Sequence, residues 1–148
     1  MSEAGRRGRS DTNQPTHAER QQQRPAVLAW QWVSQAADHG KAARYGTLAR
    51  KLPSMLQVSG LGQTLAFLYS KGYEGPKPKS DSAEALLFRQ LGGYLIELSK
   101  QAKQPDAAME ALLSLSPGDY RAVTRQLSEV AGWIKRFAEG RLAHEKDQ

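Results

Sequence analysis

Apolar side chains recur along this chain at steps of three and four, and no stretch shows the period-two alternation of a half-buried strand. The pattern predicts an all-α fold. A first helix carries Val27, Ala29, Trp30, Val33, Ala36 and Ala37, with Pro25 in its opening turn and Gly40 at its C′ position. A second, around Thr47 to Val58, carries Leu48, Leu52, Met55 and Leu56. Pro53 should interrupt it, because a proline there removes one backbone bond and its ring clashes with the preceding turn. The third runs from Leu61 to Lys71, with Leu61, Leu65, Leu68 and Tyr69 on one side, and ends at Gly72. Tyr73 to Ser80 reads as a loop.

A fourth helix opens on Asp81 as N-cap, with Glu84 three residues on as in a capping box, and its stripe of Leu87, Leu91, Tyr94, Leu95 and Leu98 carries it to Lys103. Gly92 and Gly93 each weaken that helix by about 1 kcal/mol relative to alanine, which close approach of a neighbouring helix would offset. A short fifth helix after Pro105 contains Met109, Leu112 and Leu113. Ser116, Pro117 and Asp119 then supply an N-cap, a first-turn proline and an acidic third position. They open a long last helix with the stripe Tyr120, Val123, Leu127, Val130, Ile134, Phe137 and Ala138. The sum is a single compact bundle of about six helices over residues 20–142. Residues 1–19 read as a flexible basic tail, since nothing between Ser2 and Ala26 is Val, Ile, Leu, Phe, Trp or Tyr, and residues 143–148 read as a frayed end.

At 148 residues the chain suits one domain with one core. It has no Cys, which excludes disulfide staples, thiolate nucleophiles and Cys-based zinc sites and fits a reducing compartment. No signal segment and no apolar run of spanning length is present, so a cytoplasmic protein without a membrane partner is expected. The formal net charge of +6 favours polyanionic partners, and its distribution is uneven. Between Asp38 and Glu74 there is no acid, whereas Lys41, Arg44, Arg50, Lys51 and Lys71 all fall there; after Gln104 acids and bases nearly balance.

Two separated segments carry a family resemblance. The first is Tyr45-Gly46-Thr47-Leu48-Ala49-Arg50-Lys51-Leu52-Pro53, followed by Val58-Ser59-Gly60-Leu61-Gly62-Gln63-Thr64-Leu65-Ala66-Phe67-Leu68-Tyr69-Ser70-Lys71-Gly72. The second comprises Tyr120, Thr124 and Trp133-Ile134-Lys135-Arg136-Phe137-Ala138-Glu139, with Gln126 departing from the acid expected at its place. Together they resemble the small α-helical subunit of the type III-B CRISPR effector, the Cmr complex, over roughly residues 20–140. The resemblance implies a subunit without an active site or cofactor, acting in antiviral defence. Its implied partners are RAMP-type backbone subunits of the Cmr effector, further copies of itself, crRNA and target RNA.

The candidate nucleic-acid-binding residues are Arg44, Arg50, Lys51, Lys71 and Lys41, with Arg24 and Arg20 beside them, because cations on neighbouring helices can follow a phosphate backbone without reading sequence. Trp30 and Trp32, two apart on one helix, cannot both face the core, so with Lys135 and Arg136 they are the candidate protein-interface residues. Gly60 and Gly62 lack the spacing of a phosphate loop and read as a tight turn between packed helices. His17, His39 and His144 are scattered without further ligands, so neither a metal site nor a catalytic set is expected. A helix-turn-helix DNA-binding regulator is the competing reading, but a recognition helix from Leu61 to Phe67 would offer bases only Gln63 and Thr64.

Overall fold

The computed structural model describes residue 14 and residues 16–101 and 103–145. Among these, the elements in order are α1 (His17–Ala37), α2 (Ala42–Gly72), β1 (Tyr73–Glu74), β2 (Lys77–Pro78), α3 (Ala83–Ser99), a 3-10 turn (Pro105–Ala107), α4 (Ala108–Leu113) and α5 (Pro117–Arg141). The fold is all-α, as the periodicity predicts. Helix α5 packs against both α1 and α2, α2 also runs along α3, and α4 closes on α3. Val33, Leu52, Leu61, Leu65, Leu91, Leu127 and Ile134 are wholly buried where these faces meet. Each such side chain contributes about 1.5–3 kcal/mol on leaving water.

The boundaries differ from expectation where side-chain caps or tertiary contacts decide them. Helix α1 starts at His17, ahead of the expected boundary at residue 20, because Thr16 and Glu19 form a capping box: Glu19 N donates to Thr16 Oγ1 at 3.1 Å and Thr16 N donates to Glu19 Oε2 at 2.9 Å. The flexible reading of residues 1–13 lies outside the described residues. Pro25 therefore sits inside the helix, buried, and the helix ends at Ala37 with Asp38 rather than Gly40 terminating it. The expected second and third helices meet within one element, α2, whose break at Gly60 falls between them as the sequence indicates, while the helix passes through Pro53 without the expected interruption. There φ is 84° and ψ 167°, backbone angles that suit a residue without a β-carbon. Leu48, Leu52 and Leu56 on one side of that break, and Leu61, Leu65 and Leu68 on the other, are all buried, so packing offsets the cost of the proline and the helix continues across it.

The loop after α2 contains a two-residue antiparallel hairpin pairing Tyr73 with Pro78 and Glu74 with Lys77. Ser82, not Asp81, caps α3, accepting from Ala85 N at 3.0 Å, while Asp81 lies at φ 57°. The helix stops at Ser99, short of Lys103, with Lys100 in the left-handed conformation. Ser116 caps α5 through Asp119 N, as its sequence indicates. The end of the chain does not fray through its described part: Leu142 is buried, and Glu145 N donates to Thr47 Oγ1 at 2.8 Å.

Candidate nucleic-acid and protein interfaces

The cations singled out in the sequence divide into two groups. Arg44 is held between two carboxylates, its Nε donating to Glu84 Oε2 and its Nη1 to Glu145 Oε1, both at 3.0 Å. Partial burial works against its charge, but the bonds to Glu145 and Glu84 outweigh that and raise its pKa. Arg50 donates to Gly46 O at 3.0 Å and to Leu142 O at 3.1 Å, tying α2 to the segment after α5. Arg24 pairs with Glu97, which raises its pKa, and its guanidinium lies 5.6 Å from the Tyr94 ring centroid. These three arginines are committed to internal contacts. Lys41, Lys51, Lys71 and Arg20 are exposed and form no ion pair among the described residues.

The two tryptophans of α1 also divide. Trp32 is half-buried, edge-on to Tyr94 at 6.3 Å, beside a cleft lined by Leu28, Gln35, Leu86 and Gln90. Trp30 is 49% exposed and meets Phe137 of α5 edge-on at 5.2 Å, with the Arg141 guanidinium 5.0 Å above its ring. Phe137 in turn lies 5.5 Å from Trp133, which is 41% exposed. Trp30 and Arg136 thus share one outer surface with Trp133 and Phe137, while Lys135 is half-buried. Trp133, Arg121 and Arg125 were absent from the candidates named above. Their i, i+4 spacing on the polar side of the last helix was the available signal.

The helix after the Gly60 break cannot read bases. Leu61, Leu65 and Leu68 are wholly buried and Thr64 nearly so, which leaves Gln63 the one exposed polar residue between Leu61 and Phe67. Gly62 N donates to Tyr120 Oη at 3.0 Å, and a β-carbon on Gly62 would stand 3.4 Å from that oxygen, so Gly62 lets α2 approach α5 closely while Gly60, with open space around it, makes the backbone break. Among the described residues no three His, Cys, Asp or Glu side chains converge to hold a metal, and no helix is long and apolar enough to cross a membrane.

The helical order and the two segments that carry the resemblance define the class of small helical CRISPR-associated proteins, and comparison with known proteins makes it specific. Residues 21–141 match the family described as CRISPR-associated protein (Cas_Cmr5), and the chain belongs to that family. It is 32% identical over 115 residues to the CRISPR system Cmr subunit Cmr5 of Thermus thermophilus, covering 77% of this chain and 89% of that one. The crystal structure of a CRISPR-associated Cmr5 family protein, also from Thermus thermophilus, superposes with a TM-score of 0.62 at 29% identity, over 79% of this chain and 92% of that one.

Proposed function

We infer that this chain is a non-catalytic structural subunit of a crRNA-guided type III-B effector that targets RNA in antiviral defence in the cytoplasm. In this reading, copies stack along RAMP-type backbone subunits of the Cmr effector, close to guide and target RNA. The observation that carries it is the extent of the family match, from residue 21 to residue 141, which takes in nearly all of α1 and every later helix. The whole bundle is the family's scaffold, and the Thermus relative is named as a Cmr subunit.

The exposed Lys41, Lys51 and Lys71 support proximity to RNA, because the stretch that bears them holds no acid to neutralise them. A triple Lys→Glu variant at these positions should join the effector normally, lower its affinity for target RNA, and flatten the dependence of log affinity on log salt by about 0.7 per lost phosphate contact. Unchanged affinity and slope in an intact assembly would reduce the subunit to a scaffold without RNA contact. Arg44 and Arg50 are excluded from the variant because their reversal would break internal bonds.

A further inference from the structure

The outer face of α5 combines unpaired guanidinium groups with an open aromatic ring. Arg121, Arg125 and Arg136 are exposed and form no ion pair among the described residues. At 3.6 residues per turn they fall, with Glu129 and Trp133, within about a third of the helix circumference, along a row of about 22 Å. Trp133 presents 41% of its surface, and a β-carbon built on the adjacent Gly132 would meet nothing within 4 Å. Glu129, Gly132, Trp133 and Arg136 together line a cleft of about 400 Å³. Within that third of the circumference Arg121, Arg125 and Arg136 stand against Glu129 and the exposed Glu139, so the face keeps a small positive excess although the chain's last third is near balance.

The geometry points to a single-stranded RNA site on this face, in which one unpaired base stacks on Trp133 and its phosphates lie along Arg121, Arg125 and Arg136. Stacking on an indole needs a base free of its neighbours, which a duplex does not offer. Glu129, on the cleft wall, is placed to accept from the amino group of that base, as a carboxylate does from cytosine N4. A phosphate backbone supplies anions at regular spacing along such a row, and the open indole beside it suits a base. The site rests on the RNA-proximal reading above and adds the arginines of α5 to the lysines of α2 as contacts to RNA.

The test uses the full-length protein and a short labelled oligocytidylate, with binding followed by anisotropy across a salt series. Trp133→Ala should weaken binding about tenfold, Trp133→Phe should retain most of it, and a blunt-ended RNA duplex should bind more weakly and ignore the Trp133→Ala change. Reversal of Arg121, Arg125 and Arg136 to Glu should flatten the salt slope by about 2. Melting curves matching the parent would show that each variant is folded. No binding by the parent chain, or equal affinity and slope in folded variants, overturns the site. If only the Lys41, Lys51 and Lys71 reversal weakens binding, RNA proximity stands and the α5 site falls. If Trp133→Ala leaves RNA affinity intact but releases the subunit from its effector, the face is a protein interface instead.

Discussion

Gly92 of α3 lies so close to Ala108, at the start of α4, that a β-carbon on Gly92 would stand 2.6 Å from the Ala108 methyl and 2.9 Å from the Pro105 carbonyl oxygen. Its neighbour Gly93 has only ordinary contact, with Pro105 Cγ at 3.8 Å. Helix propensity alone would make alanine better at both positions by about 1 kcal/mol. Overpacking reverses the sign at one of them. Gly92→Ala should lower stability by about 1–3 kcal/mol while Gly93→Ala is neutral or stabilising, as paired thermal melts would show. Equal effects at the two positions would mean that α4 does not close on α3 as described.

Tyr45 donates its hydroxyl to Gln90 Oε1 at 2.7 Å in the core. Burial pushes its phenol well above the ordinary value of 10, against a smaller opposing effect of the Gln90 bond. Burial likewise raises Tyr73, aided by Asp106, and Tyr94. The unfolded chain therefore loses these protons first. Below pH 10 both states hold them and stability is flat in this respect; as pH rises above 10 the unfolded state binds fewer protons and stability falls. Tyr45→Phe should cost about 1 kcal/mol near neutrality and make the alkaline decline shallower without abolishing it, in melts taken across that range. A decline as steep as the parent's would place the effect elsewhere.

A β-carbon on Gly46 would stand 2.1 Å from the Ala143 carbonyl oxygen, because the chain after α5 crosses directly over α2 there. Arg50 and Thr47 hold that crossing through Leu142 O and Glu145 N. Gly46→Ala should therefore displace the segment after Leu142, detected as faster amide exchange and earlier proteolysis of the C-terminus together with a lower melting temperature. Unaltered exchange there would show that the segment is not held against α2.

Those contacts mark what sequence could and could not disclose. The stripes of α3 and α5 were legible because Leu87, Leu91 and Leu95, or Val123, Leu127, Val130 and Ile134, repeat at the helical period on a buried face. The Ser116 cap was legible because its partner is three residues away. The Thr16 and Glu19 box carried the same local signal, but the apolar stripe that begins at Val27 drew the start of α1 too late. Arg44 is different in kind. Its partners Glu84 and Glu145 lie 40 and 101 residues away, so no local pattern could separate it from the free lysines around it. The surface of Trp30, Phe137 and Trp133 likewise exists only because α1 lies against α5.

Membership of an RNA-guided assembly is tested by isolating the native complex on the tagged, full-length chain. Mass spectrometry of the co-purified proteins and sequencing of the bound RNA should return the other subunits of a Cmr effector together with short guide RNAs. Recovery of the chain without those subunits and without guide RNA, from cells in which the effector is expressed, would contradict it.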